Sequence, residues 1–84
     1  AGNNIFVEGE SSQDLYMLLS GKLEVLKGNK KITDISKTGS LFGEMSFLLG
    51  VNRTATIKAT SKVKTICIPR EKIYFFYTLP VGLT

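Results

Sequence analysis

Apolar and polar residues alternate along this chain in short stretches, and nearly every stretch ends at a glycine or a polar turn. Asn4-Ile5-Phe6-Val7-Glu8 reads as a first strand closed by Gly9, with Glu10 to Asp14 as a polar turn. Leu15-Tyr16-Met17-Leu18-Leu19 is continuously apolar, which fits a strand buried on both faces. Ser20-Gly21 marks a tight turn, and Lys22 to Lys27 then alternates with period two, so these two strands are expected to pair as a hairpin. Gly28-Asn29 marks another turn. Lys31 to Ile35 alternates again, with Ile32, Thr33 and Ile35 all competing for the inner face, and Lys37 to Ser40 follows as a loop.

Thr56 to Ala59 and Val63 to Ile68 read as two further strands joined by a turn at Thr60-Ser61-Lys62, and Pro69 stops the second of them. Arg70 to Tyr77 lacks strand alternation and follows a proline. It reads as the start of a short helix with Ile73 and Phe76 or Tyr77 toward the sheet. Short strands at close spacing with glycine turns predict a mainly β protein, an antiparallel barrel or sandwich.

An 84-residue chain is one small domain with a compact core. Its 43% hydrophobic and 21% charged residues are an ordinary globular balance. The net charge of +4 permits anionic partners, but the lysines are scattered and only Lys30 and Lys31 adjoin. A small nucleic-acid binder more often carries a dense basic stripe, so these lysines read as solvated strand faces. A single cysteine, Cys67, rules out an internal disulfide and suits a reducing compartment. Its setting between Ile66 and Ile68 predicts a buried, inert thiol. With no histidine in the chain, Ser-His and Cys-His mechanisms are excluded and a zinc site becomes improbable. No apolar segment reaches membrane-spanning length and no secretory signal is present in these residues.

One segment carries chemistry: Phe42 to Thr56, FGEMSFLLGVNRTAT. Met45 to Leu49 allows one or two helical turns, and Gly43 before them lets a backbone approach closely. The start of such a turn offers unpaired N–H groups, and Arg53 can return to the same place with a planar fork of donors for phosphate oxygens. Glu44 cannot hold a phosphate, but it can accept hydrogen bonds from neutral hydroxyls. A ligand with a phosphate beside a sugar hydroxyl would satisfy both ends. Thr54 and Ala55 keep the adjoining wall small. The bland alternative is that Glu44 caps its own helix and Arg53 pairs with Glu44 or with solvent.

The same segment closely resembles the phosphate-binding cassette of the cyclic nucleotide-binding domain family. Phe42-Gly43-Glu44, an apolar turn, and Arg53-Thr54-Ala55 stand at the family's spacing. Gly2, Ile5-Phe6, Glu8-Gly9-Glu10, Leu15 to Gly21, Gly39 and Ile66 to Glu71 extend the resemblance over nearly the whole chain. The family often has Gly-Asp where this chain has Ser12-Gln13, a turn expected to be remote from the cassette.

The resemblance implies an antiparallel β-roll, a jelly-roll-like double-stranded β-helix with a short cassette helix and a C-terminal helix start. In the family the roll is eight-stranded and flanked by helices. By residue, it implies that Arg53 binds the exocyclic oxygens of a cyclic phosphate and that the N–H groups of Ser46 and Thr54 add to that cradle. Glu44 accepts the ribose 2′-OH, and the Gly43 backbone sits against the ribose. Met45 and Ala55 belong to the same expected ligand-binding set. Threonine at the position of Thr54 contacts the guanine amino group in some family members that bind cGMP, while others with threonine prefer cAMP. The implied ligand is cAMP or cGMP, with no further cofactor and no catalysis.

Residues 1–84 are accordingly expected to be the core of such a domain in a longer chain, without the C-terminal lid helix that covers the base. Its expected role is to sense the nucleotide and signal to a fused output domain, which could be a kinase, channel, exchange factor or DNA-binding domain. The segment itself is expected to bind neither nucleic acid nor membrane, to belong to an oligomer, and to be cytoplasmic, alone or as the cytoplasmic part of a membrane protein. The competing expectation is a degenerate roll kept as a structural or interaction domain.

Overall fold

The structure is a computed structural model and describes residues 2–72. Among the described residues seven strands form two antiparallel sheets. The strands are β1 (Asn4–Phe6), β2 (Leu15–Ser20), β3 (Leu23–Lys27), β4 (Lys30–Ile35), β5 (Leu41–Phe42), β6 (Thr56–Ala59) and β7 (Lys64–Ile68), with the helix α1 (Glu44–Leu49) between β5 and β6. The first sheet has the order β1-β6-β3-β4 and the second β5-β2-β7. The inward side chains of both sheets meet in one core of Phe6, Leu18, Leu23, Phe42, Ile57 and Ala59. The mainly β, antiparallel character is what the strand and turn spacing predict, and the roll is what the resemblance implies.

The pairing departs from the expected hairpin. β2 pairs with β5 and β7, whereas β3 pairs with β4 and β6, so the turn at Ser20-Gly21 carries the chain from one sheet to the other. The turn at residues 60–63 makes the same crossing beside it, between β6 and β7. The two turns are clasped together: the Lys22 N–H donates to Ser61 Oγ at 2.9 Å, and the Thr60 N–H donates to the Lys22 carbonyl at 2.9 Å. The expected Gly28-Asn29 turn does close a hairpin, between β3 and β4.

Burial corrects three other expectations. β2 is not buried throughout: Leu15 and Leu18 are inside, but the register shifts between Leu18 and Ser20, and Leu19 is left 40% exposed. On β4 the contest for the inner face goes to Ile35, since Ile32 is 57% exposed. Cys67 is exposed rather than buried, because it lies on β7, whose only described neighbour is β2. β7 ends at Ile68 before Pro69, and a 3-10 turn follows at Arg70–Lys72. The expected helical positions Ile73, Phe76 and Tyr77 lie outside the described residues. Among the described residues no helix is long and apolar enough to cross a membrane.

Candidate functional site

Gly43 sets the site locally. It caps α1 with φ 81°, a left-handed conformation that glycine adopts without the penalty of a Cβ. The turn drops Glu44 into the first helical position. Met45 and Glu44 stay exposed while Ser46 and Phe47 are buried. Gly50, also left-handed, ends the helix with its N–H on the Ser46 carbonyl. The chain then runs back to Arg53 just before β6.

The Arg53 side chain is turned inward and only 3% exposed. Its Nε donates to Ser12 Oγ at 3.1 Å, Nη1 to the Gly43 carbonyl at 3.2 Å and Nη2 to the Asp14 carbonyl at 2.8 Å. The guanidinium carbon stands 3.9 Å over the centre of the Phe6 ring. Phe6 in turn packs against Tyr16 and Phe42, which stack on each other at 5.4 Å. All three hydrogen-bond partners are neutral, and among the described residues no carboxylate forms an ion pair with Arg53. Burial pulls the guanidinium below its usual pKa, and the nearby Tyr16, Asp14 and Glu10 only oppose that pull. An arginine stays protonated in such a place, so the roll holds a buried positive charge with no counter-charge bonded to it.

Glu44 does the reverse: its carboxylate is exposed at the pocket rim, and among the described residues it makes no hydrogen bond or ion pair. The bland alternative therefore fails on both counts, because Glu44 does not cap α1 and Arg53 meets neither Glu44 nor open solvent.

These groups border one pocket of about 190 Å³. All seven residues singled out from the sequence line it: Gly43, Glu44, Met45 and Ser46 on one side, Arg53, Thr54 and Ala55 on the other. Thr54 is exposed and Ala55 half-buried. The rest of the wall is apolar and includes Val25, Ile35 and Leu41. Sequence reasoning placed Val25 and Ile35 on strands but had no signal for which end of a strand meets the pocket, and it left Leu41, here on β5, unassigned.

It also misjudged the turn at Ser12-Gln13, which is not remote from the cassette. Ser12 holds Arg53, and Gln13 Nε2 donates to the Gly50 carbonyl at 2.8 Å. The neighbouring Asp14 has two faces. Its carbonyl holds Arg53, and its carboxylate accepts the Arg70 N–H at 3.0 Å.

The close fit around Gly43 gives a first expected result. A Cβ added there would lie 2.6 Å from Arg53 Nη1 and 3.1 Å from the Asp14 carbonyl oxygen. Gly43→Ala should therefore shift the guanidinium and add left-handed strain of about 1–2 kcal/mol. Thermal melts should show a modest loss of stability, and any anionic ligand of Arg53 should bind at least about tenfold more weakly, roughly the weight of one charge-assisted hydrogen bond. Unaltered binding would mean that Arg53 does not touch the ligand.

A small antiparallel roll with a short helix and a buried arginine around one pocket is a binding domain in its architecture. The family model for the cyclic nucleotide-binding domain matches residues 1–78, and the chain belongs to that family. Human cGMP-dependent protein kinase 2 is 37% identical over 70 residues, which is 83% of this chain and 9% of the kinase. The chain thus spans only a small part of the curated relatives it matches.

Among solved structures, "Sp-2Cl-cAMPS bound to PKAR CBD2" aligns with a TM-score of 0.81 at 33% identity, over 87% of this chain and 49% of that one. The Thermus thermophilus catabolite activator protein aligns with a TM-score of 0.78 at 31% identity, over 89% and 37%. The regulatory subunit of a cAMP-independent protein kinase A from Trypanosoma brucei aligns with a TM-score of 0.80 at 30% identity, over 88% and 27%. The last of these shows that likeness of fold does not by itself assign a ligand.

Proposed function

We propose that this domain binds a cyclic nucleotide, cAMP or cGMP, as a regulatory ligand and relays its occupancy to an output domain of a longer chain. The observation that carries the reading is the state of Arg53: buried, cationic and bonded only to neutral acceptors. An arginine has five N–H donors, and three are used, which leaves two for the exocyclic oxygens of a cyclic phosphate. The N–H groups of Ser46 and Thr54 complete the cradle. Gly43 and Met45 flank the ribose, Glu44 accepts its 2′-OH, and Ala55 leaves room for the ring. The base lies toward Thr54 and the apolar wall.

No bond is made or broken in this scheme. The domain works by population shift, since a ligand that draws on Arg53 favours one position of whatever Arg53 is tied to. Asp14 is that tie, because it holds Arg53 through its carbonyl and the first N–H of the 3-10 turn at Arg70 through its carboxylate. This supports a route from the pocket to the segment after β7.

Titration calorimetry with cAMP, cGMP and 5′-AMP tests the reading. Saturable binding of a cyclic nucleotide, far tighter than of 5′-AMP, is the expected result, and the ratio of the two affinities gives the preferred base. Silence toward all three from a folded chain would leave a degenerate roll with a structural role. In the same assay Glu44→Ala should bind roughly tenfold or more weakly, about what a hydrogen bond to a charged group contributes. It should also lose discrimination against a 2′-deoxy analogue. Persistent discrimination would remove Glu44 from the ribose.

A further inference from the structure

The loop from Gly9 to Asp14 is laid along Arg53 by its own backbone. The Gly9 N–H donates to the Arg53 carbonyl at 2.8 Å, and the Arg53 N–H donates to the Glu10 carbonyl at 2.8 Å. This registers Ser12, an exposed residue, so that its hydroxyl meets Arg53 Nε at 3.1 Å. Where the family often has glycine, with no side chain to offer, this chain puts a nucleophilic oxygen on the back of the one buried guanidinium.

We infer that Ser12 is a regulatory phosphorylation site: as a free hydroxyl it orients Arg53, and as a phosphoserine it occupies the Arg53 guanidinium and shuts out the cyclic phosphate. The inference rests on the reading of Arg53 as the phosphate-binding residue.

The chemistry needs only a protein kinase and ATP. The Ser12 Oγ attacks the γ-phosphorus, the bond from that phosphorus to the ADP oxygen breaks, and the hydroxyl proton leaves to the kinase's base. Ser12 is open to such an enzyme on an exposed loop, and Glu8, Glu10 and Asp14 around it suit a kinase with a basic substrate groove. The product carries a charge of about −1.5 to −2 and three acceptor oxygens. Glu10 and Asp14 repel that charge, so it is driven to the nearest cation. That cation is Arg53, which no carboxylate neutralises and which keeps two N–H donors unspent. The phosphate is tethered at its target, so its effective concentration is on the order of millimolar. A free ligand must displace it. Neutral Ser12 has the opposite effect: it fixes the rotation of the fork and leaves its charge intact.

The test uses the chain with phosphoserine installed at position 12, beside the unmodified chain and one with phosphoserine at Ser11. Cyclic nucleotide affinity should fall at least about tenfold for phosphoserine at 12, the weight of one charge-assisted hydrogen bond, and much less at 11. Equal losses at both positions, or none at 12, would overturn the inference. A second reading needs no ligand. The NMR resonance of the Arg53 Nε–H should move on phosphorylation of Ser12. It should exchange faster with water in Ser12→Ala and stay protected in Ser12→Thr. A resonance indifferent to all three changes would sink the inference even if the unmodified chain binds cyclic nucleotide. If the Arg53 resonance responds as expected but the unmodified chain binds no cyclic nucleotide, the ligand reading fails and the gating role falls with it.

Discussion

Arg53→Ala is expected to weaken cyclic nucleotide binding by roughly 10²–10⁴-fold. Two unspent N–H donors each form a charge-assisted bond worth about 1.5–3 kcal/mol, together roughly 3–6 kcal/mol at 1.4 kcal/mol per decade. The loss should be this large because the site has no second buried cation: among the described residues the only buried polar or charged ones are Ser46 and Arg53. The roll should still fold, since its core cluster of Phe6, Leu18, Leu23, Phe42, Ile57 and Ala59 does not include Arg53. It should melt earlier, because the Gly43 and Asp14 carbonyls lose a donor and Phe6 loses its cover. Arg53→Lys keeps a charge but not the planar fork and should fall between wild type and alanine. Calorimetry on variants with intact circular dichroism decides the matter, and wild-type affinity in Arg53→Ala would remove the arginine from the site.

Gly21→Ala is expected to have the largest effect on stability. Gly21 sits at φ 100°, and a Cβ there would lie 2.3 Å from the Lys62 carbonyl oxygen and 2.8 Å from the Val63 Cα. Both obstacles are backbone, so neither can swing away as the tip of a side chain could. They also belong to the second of the two turns that cross between the sheets, which the clasp at Lys22 and Ser61 pins in place. Relief must come from parting the sheets at that end.

Backbone strain of about 1–3 kcal/mol and overpacking of about 1–3 kcal/mol together reach roughly 2–6 kcal/mol, much of what holds a small domain folded. The melting temperature should drop by more than about 8 °C. Gly28→Ala is the control: φ is 62° but nothing lies within 4 Å of the added Cβ, so it should cost only the left-handed strain of about 1–2 kcal/mol. Equal melting temperatures for the two variants would show that the crossing turns are not packed as described.

The candidate site was legible in unequal parts. Gly43, Glu44, Arg53, Thr54 and Ala55 form a local pattern whose spacing suggests two ends of one ligand, and the resemblance to a known cassette sharpened it. Ser12 was read as distant because its link to Arg53 spans 41 residues and leaves no periodic trace in the sequence. Phe6 carried only the mark of a strand residue, although its ring face is the surface on which the guanidinium rests. The burial of Cys67 was misread because an apolar run signals burial only where another layer covers it, and the described part of β7 is not covered at Cys67.

By itself the sequence determined roughly where most strands run and stop, because period-two alternation and glycine or proline breaks are properties of neighbouring residues; the two-residue β5 (Leu41–Phe42) is too short to leave such a pattern, and β1 ends at Phe6, two residues before the expected end. It also determined the family, because the cassette is contiguous. The tertiary structure alone decided that β2 and β3 part into different sheets, and that Arg53 is sealed inward with only neutral acceptors. It alone brought the Ser12 loop against that arginine. These depend on which distant segments share a face of the roll. Burial in that shared interior is what turns an ordinary arginine into an uncompensated positive charge.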